Sequence, residues 1–159
     1  MRIDLLCSGS KGNSCLIRHK DTQLLIDCGS TKKYLMESFQ KVGACDKHDV
    51  FPNQKMIIND LSVQFIGLSH DSPHTIGFVV ESDSEKLVYV TDTGYVPNQI
   101  KPYIANADHY IFESNHDIEM LMNTRSPLFL KNRIFGDKGH LNNEYSAHVM
   151  AQVIGENTK

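Results

Sequence analysis

The chain has 159 residues, of which 40% are hydrophobic and 22% are charged. This length and composition are typical of one folded domain with its own core, and they exclude an intrinsically disordered chain. The net charge of −3 comes from 16 basic and 19 acidic residues and excludes a broadly basic surface, so any contact with nucleic acid has to be local or assisted by a metal ion.

Hydropathy and cysteine spacing indicate the cellular compartment in which the protein is expected. No apolar run approaches the roughly 20 residues that a membrane-spanning helix needs, and the charged start at Met1–Asp4 is unlike a signal peptide. The cysteines Cys7, Cys15, Cys28 and Cys45 lack C-x-x-C spacing, and three of them lie in or beside strand-like runs. We therefore expect buried, reduced thiols and a cytoplasmic protein with no membrane partner.

Hydrophobic periodicity predicts an early strand-rich part followed by alternating strands and helices. The predicted strands cover residues 2–7, 15–18, 22–26, 55–58, 61–68, 75–81, 87–90 and 109–113. The predicted helices cover residues 30–42, 97–105, 118–122 and about 143–154, the last capped by Asn142 or Asn143. The short links after residues 18 and 58 favour antiparallel hairpins. This order predicts an α/β or α+β layered domain.

The stretch Lys86–Gly94 is the most informative part of the chain. Its apolar run ends in Asp92, and Gly94 then breaks the strand. A carboxylate at the end of a buried strand is held rigidly at the rim of a sheet, where ligand and metal sites are favoured. The simpler alternative is that Asp92 only caps the turn through its own backbone.

Polar clusters follow four of the predicted strands, and a fifth lies before the last helix. They are Asp27, His70–Asp71, Asp92, Glu113–His116 and Gly139–His140. Strand ends that lie side by side in a sheet would bring these clusters together. Histidine and carboxylate are the usual ligands of zinc and other divalent ions, and a bound ion lowers the pKa of a water molecule.

Each of these residues has a simpler explanation. His70 is equally well explained as a turn histidine, His116 as a residue of the first turn of its helix, and Asp27 as a group that only orients a neighbour. Three other histidines, His74, His109 and His148, are expected to lie on the surface or to pack against neighbours without a functional role. Several clusters at corresponding strand ends are nevertheless harder to dismiss than any single one.

Taken together, the motifs resemble those of a known family. In chain order they are CSGSKGNS at 7–14, LLIDCG at 24–29, SHD at 69–71, YVTDTGY at 89–95, ESNHD at 113–117 and GHLNNE at 139–144. They are similar to the motifs of the YycJ/WalJ (VicX-like) branch of the metallo-β-lactamase superfamily. They occur in the family's order and span nearly the whole chain.

The resemblance implies an αββα sandwich with a metal site at one edge between its two sheets. It also implies metal-dependent hydrolysis, with DNA exonuclease-like activity and two zinc or manganese ions per site. By position, His70 resembles a metal ligand, Asp92 the carboxylate shared by two metals, and Asp27 a residue that orients the ligands. His140 resembles the histidine near the scissile phosphate, and His116 a branch-specific residue close to the site; both are expected to be catalytic.

The chain departs from the family pattern in two places. The hallmark His-x-His-x-Asp-His run is absent from the sequence, and it belongs between the Gly43 region and the strand near Lys55. The family's late strand, with another ligating histidine, should lie beyond Lys159. We therefore expect one incomplete domain over residues 1–159, with an internal deletion near 43–55, a truncated C-terminus and only His70 and Asp92 as ligands.

Two hypotheses of function follow. The first is a metal-dependent hydrolase that cleaves phosphodiester bonds in DNA in its complete form. The second is a catalytically impaired remnant that serves as a binding or scaffold module, which the missing hallmark favours. Hydrolysis of thiol or lactam substrates also stays open, because a fold does not determine its substrate. An unpaired sheet edge left by the deletion would favour a homo-oligomer.

Overall fold

The computed structural model describes residues 1–7, 12–27 and 50–159. It divides into two compact units. The first contains the described residues of Met1–Asp49 together with Ile57–Leu61, and the second contains Val50–Met56 and Ser62–Lys159. The helix predicted over residues 30–42, and most of the deletion predicted near 43–55, lie outside the described residues.

The first unit contains an antiparallel sheet in the order β1-β2-β3. Its strands are β1 (Arg2–Cys7), β2 (Ser14–His19) and β3 (Thr22–Ile26). The predicted hairpin is confirmed, because Cys15 pairs with Ile26 and His19 pairs with Thr22. Cys15 is a free and fully buried thiol, and burial, with the nearby charges of Asp4 and Asp27, raises its pKa to about 12.

A five-stranded sheet has the order β4-β5-β6-β7-β8. Its strands are β4 (Lys55–Ile58), β5 (Leu61–Gly67), β6 (Ile76–Glu81), β7 (Lys86–Val90) and β8 (His109–Phe112). Strands β5, β6 and β7 pair antiparallel, whereas β8 runs parallel to β7. The carboxyl ends of β7 and β8 therefore meet at one edge of the sheet.

Four helices follow β7. They are α1 (Lys101–Ile104), α2 (Ile118–Asn123), α3 (Leu128–Phe135) and α4 (Asn143–Val153). Asp117 caps α2 through the amide of Met120. Asn142 caps α4 through the amide of Tyr145, and the sequence predicts this second cap. Among the described residues, no helix has both the length and the apolar character to span a bilayer.

The helices of the structure differ from the predicted ones in two places. The helix predicted over residues 97–105 is only α1, because residues 97–100 form turns and Pro102 lies in the first helical turn. Helix α3 was not predicted. Its large apolar residues Leu128, Phe129 and Phe135 are exposed, so it lacks the buried stripe that periodicity detects.

The core of the second unit lies between the sheet and helices α1 and α4. It contains Ile66, Val79, Val88, Val90, Val96, Ile104, Ala107, Leu141, Val149 and Val153. All of these side chains are at least 97% buried. This packing holds the carboxyl end of β7 rigidly, and with it the turn that carries Asp92.

Candidate metal centre

Three loops meet at the carboxyl end of β7. The loop after β5 carries His70, the turn after β7 carries Asp92, and the connection between α3 and α4 carries His140. Backbone and hydroxyl groups join them: the Gly94 amide donates to the Ser69 carbonyl at 2.7 Å, and the Ser69 hydroxyl donates to the Asp137 carbonyl at 2.8 Å. These hydrogen bonds hold the three loops together although they are far apart in sequence.

Two glycines allow these loops to approach so closely. A Cβ atom on Gly94 would lie 2.2 Å from the Asp137 carbonyl oxygen, and one on Gly139 would lie 2.1 Å from the Ile134 carbonyl oxygen. Backbone atoms cannot give way at such distances without moving a whole loop. Glycine is therefore required at both positions by close packing.

His70, Asp92 and His140 form the donor triad. One ligand atom from each residue lies within 4.8 Å of the other two, and the two imidazole centroids are 4.9 Å apart. The Asp92 side chain is 43% exposed, whereas those of His70 and His140 are 12% and 26% exposed. The triad therefore opens to solvent on the Asp92 side.

Asp92 has a φ of 54°, in the left-handed region. Aspartate and asparagine tolerate this conformation better than most residues because their short side chains bond locally. The conformation turns the chain sharply where β7 ends. It places the carboxylate at the rim of the sheet, as the sequence predicts.

A backbone carbonyl orients His70. Its Nδ1 lies 2.9 Å from the Gly139 carbonyl oxygen, so Nδ1 carries the hydrogen and donates it. In the neutral imidazole the lone pair is then on Nε2. This atom lies 3.4 Å from Asp71 Oδ1. Metal-ligating histidines commonly use one ring nitrogen in this way and bind with the other.

A buried carboxylate orients His140. Its Nδ1 lies 2.5 Å from Glu113 Oε1 and 3.9 Å from Asp92 Oδ1. The hydrogen bond to Glu113 raises the pKa of the His140 imidazole, opposed by burial and assisted by the neighbouring negative charges. In the neutral imidazole, Nδ1–H is donated to Glu113 and Nε2 holds the lone pair.

Glu113 lies in one of the predicted polar clusters, but the sequence assigned it no role; in the structure it contacts the His140 imidazole. Its side chain is 8% exposed, and its Oε2 accepts from the amides of Thr93 at 2.7 Å and Leu141 at 3.3 Å. One carboxylate thus supports both the turn after Asp92 and the loop of His140. The sequence signal that could have indicated this role is a pair of carboxylates, Asp92 and Glu113, which follow the neighbouring strands β7 and β8.

His116 lies beside the triad without belonging to it. Its main chain forms a bridge with Asn142, and its ring centroid is 6.4 Å from that of Phe135. Both ring nitrogens are buried and find no hydrogen-bond partner within the described part of the chain. Burial lowers the pKa of His116, and the nearby His140 lowers it further. An unsatisfied buried imidazole is suited to a hydrogen bond with a ligand.

Two further residues concern the site, Arg133 and Asp27. Arg133, on α3, donates from Nε to Asp71 Oδ2 at 2.5 Å, and this hydrogen bond lowers the pKa of Asp71. Asp27 follows β3 in the first unit and has a φ of 57°. Its role in orienting ligands stays a prediction.

Comparison with known proteins agrees with this architecture. A family model described as the beta-lactamase superfamily domain matches residues 22–158. The chain belongs to this superfamily. The crystal structure of the metallo-beta-lactamase fold protein YhfI from Bacillus subtilis aligns with a TM-score of 0.65 and 16% identity, covering 93% of this chain and 80% of that one. This likeness confirms the predicted α/β metallo-β-lactamase fold.

Two curated relatives are exodeoxyribonucleases. YycJ of Bacillus anthracis is 43% identical over 100 residues, which are 63% of this chain and 38% of that protein. WalJ of Streptococcus pneumoniae strain D39 is 35% identical over 119 residues, which are 75% of this chain and 44% of that protein. These matches confirm the predicted resemblance to the YycJ/WalJ branch. The chain spans less than half the length of either relative.

The metallo-β-lactamase fold implies a divalent metal ion, and the donor triad fits one. Its two imidazoles each have one nitrogen donating to an oxygen, of Gly139 and of Glu113, and the other available as a ligand. Two imidazoles and one carboxylate are the number and type of protein ligands that catalytic divalent ions take. The geometry adds His140 as a candidate third ligand to His70 and Asp92, the two that the sequence indicated.

Proposed function

We propose that the chain binds one divalent ion, zinc or manganese, through His70, Asp92 and His140, and that it hydrolyses phosphodiester bonds in DNA. The observation that carries the proposal is the convergence of three ligand atoms within 4.8 Å. The YycJ and WalJ relatives are named exodeoxyribonucleases, which supports DNA as the substrate.

The residues around the triad have distinct tasks in this proposal. A bound divalent ion supplies Lewis acidity and lowers the pKa of a water molecule. Glu113 and the Gly139 carbonyl hold the two imidazoles in the tautomers that leave Nε2 unprotonated. His116, whose two buried ring nitrogens have no hydrogen-bond partner among the described residues, keeps its predicted catalytic role in this proposal. As an alternative to ligation, His140 assists at the phosphate, as the sequence resemblance implies.

A second candidate function is a binding or scaffold module that has lost catalysis. The specific observation in its favour is the absence of the His-x-His-x-Asp-His run from the sequence. Without those ligands the described residues offer donors for one ion, whereas two ions clamp both the attacking and the leaving oxygens in two-metal hydrolases.

Isothermal titration with zinc and manganese tests the metal site. We expect one ion per wild-type chain and a loss of affinity in Asp92→Asn and in His140→Ala. Asparagine is tolerated at a positive φ, so Asp92→Asn removes the charged ligand without straining the turn. His148→Gln, at an exposed position of α4, is the matched control and should bind as the wild type does.

Degradation of end-labelled linear duplex DNA separates the two candidate functions. Manganese-dependent cleavage that disappears in Asp92→Asn would support the hydrolase. Binding of one ion without cleavage would favour the binding module. A chain that binds neither zinc nor manganese would contradict the metal site itself.

A further inference from the structure

The carboxyl end of α3 contributes two exposed side chains next to the donor triad. Residues two positions apart on a helix point to different sides, because each residue turns the chain by about 100°. Arg133 accordingly reaches Asp71, the neighbour of His70, whereas Phe135 reaches His116. The two side chains therefore leave α3 in different directions and contact two different residues beside the candidate centre.

Phe135 offers an open aromatic surface beside the site. Its side chain is 46% exposed, and it meets His116 in an edge-to-face arrangement with the ring planes at 63°. His116 in turn forms a main-chain bridge with Asn142, two residues after His140. An aromatic ring at such a position is a platform on which a nucleobase can stack.

Arg133 offers a cation beside Asp71. Its hydrogen bond to Asp71 uses Nε, and the side chain as a whole is 65% exposed. Asp71 Oδ1 lies 3.4 Å from His70 Nε2, so the guanidinium is one carboxylate away from a candidate ligand. A guanidinium recognises phosphate through several N–H donors at once. In a chain with a net charge of −3, such a local cation is the kind of phosphate contact that is expected.

We propose that Phe135 and Arg133 form a subsite for an unpaired nucleotide of DNA, with the base stacked on Phe135 and a flanking phosphate bound by Arg133. The inference rests on the proposed function and makes its substrate more specific. A base inside a duplex has both faces covered by its neighbours, so an aromatic platform selects an unstacked base. The preferred ligand is therefore a single strand or an overhanging end, and a blunt duplex binds less tightly.

Binding to a short oligodeoxynucleotide with 2-aminopurine at its terminus tests the subsite. The titration is done in EDTA with the whole 159-residue chain, so no cleavage takes place. Stacking quenches 2-aminopurine fluorescence, and we expect quenching by the wild type. Phe135→Ala and Phe135→Leu should bind about tenfold more weakly and lose the quenching, whereas Phe135→Trp should retain both. Phe129→Ala, at an exposed phenylalanine on the same helix, is the matched control and should bind as the wild type does.

Salt dependence tests the contribution of Arg133. Arg133→Gln should weaken binding and reduce the slope of log affinity against log salt by about one. Thermal melts show whether each variant is folded.

The outcomes separate the subsite from the proposed hydrolase. Affinity and quenching in Phe135→Ala equal to those of the wild type would overturn the subsite. So would an equal loss in Phe129→Ala, tighter binding of a blunt duplex of the same sequence, or no binding by the wild type. If Phe135 variants lose binding but the wild type cleaves no DNA with added metal, the subsite stands and the hydrolase fails.

Discussion

At the scale of single residues, the candidate centre depends on groups that never touch the metal position. Glu113 joins His140 to the turn that follows β7, and the Gly139 carbonyl holds His70. Each imidazole is therefore restricted in rotation and tautomer before any ion binds. Such supporting partners lower the entropic cost of binding and raise the basicity of the ligating nitrogen.

Glu113→Gln should weaken zinc binding by about 10- to 100-fold. Glutamine nearly preserves the shape of the side chain and can still accept from the Thr93 amide, but it lacks the charge that favours the His140 hydrogen bond. Isothermal titration measures the affinity, and a thermal melt checks that the protein is folded. Glu144→Gln, on the exposed first turn of α4, is the control. Equal zinc affinity in Glu113→Gln and the wild type would contradict the supporting role.

At the scale of elements, β8 connects the sheet to the ends of two helices through Tyr110. Its hydroxyl oxygen lies 2.7 Å from the Ile104 carbonyl of α1 and 2.9 Å from the Val153 carbonyl of α4, and it accepts from the Ala107 amide at 3.0 Å. Ala107 is 1% exposed and Ile104 is fully buried, so water does not readily replace the hydroxyl. Burial raises the pKa of Tyr110, which keeps the group a neutral donor.

Tyr110→Phe should lower the free energy of unfolding by about 1–3 kcal/mol, because it leaves buried main-chain groups without a partner. Urea denaturation measures this difference. Tyr103→Phe, at a tyrosine on α1 that is 56% exposed, is the control and should change stability little. A Tyr110→Phe protein as stable as the wild type would show that the hydroxyl is dispensable.

At the scale of the whole molecule, a cluster around Glu85 joins the turn after β6 to Lys159. Lys159 Nζ lies 2.8 Å from Glu85 Oε1, and His109 Nε2 lies 3.1 Å from the same oxygen. These hydrogen bonds, that of Lys159 above all, hold the pKa of Glu85 well below its ordinary value of 4.5. A depressed carboxyl pKa stabilises the fold at pH values above 4.5, and this contribution is lost as the pH falls toward the folded-state value.

Glu85→Gln should therefore lower stability at neutral pH by about 1 kcal/mol or less, the range of partly exposed ion pairs. The difference from the wild type should shrink in acid, below the ordinary carboxyl pKa. Denaturant titrations at neutral and acidic pH measure it, with Glu119→Gln on α2 as the exposed control. A constant difference across the pH range would contradict an ionic origin.

Self-association is a further property of the whole molecule. The homo-oligomer expected from the missing segment stays a prediction. The strongly exposed apolar side chains Met120, Leu128 and Phe129 on helices α2 and α3 lend it support.

The local pattern of apolar residues was sufficient to predict the described strands and the position of Asp92 at the end of one of them. Alternation in Leu61–Gly67 and the apolar run Leu87–Val90 report directly which faces are buried, because side chains alternate across a strand. The motifs were also sufficient to assign the chain to its family, because their order can be read from the sequence without knowing the fold. Helix α3 escaped prediction for the converse reason, because its apolar residues face solvent.

The sequence predicts that the polar clusters come together, but only the tertiary structure shows which side chains contact one another. The His140–Glu113 contact joins residues 27 positions apart, and the His70–Gly139 contact joins residues 69 positions apart. Hydrophobic periodicity carries no information about which loops meet beyond the sheet edge, since those loops are polar and irregular. Their meeting depends on the parallel pairing of β7 with β8 and on the absence of a Cβ atom at Gly94 and Gly139. Sequence therefore determined which groups are available for chemistry, and the packing of the loops decided which of them act together.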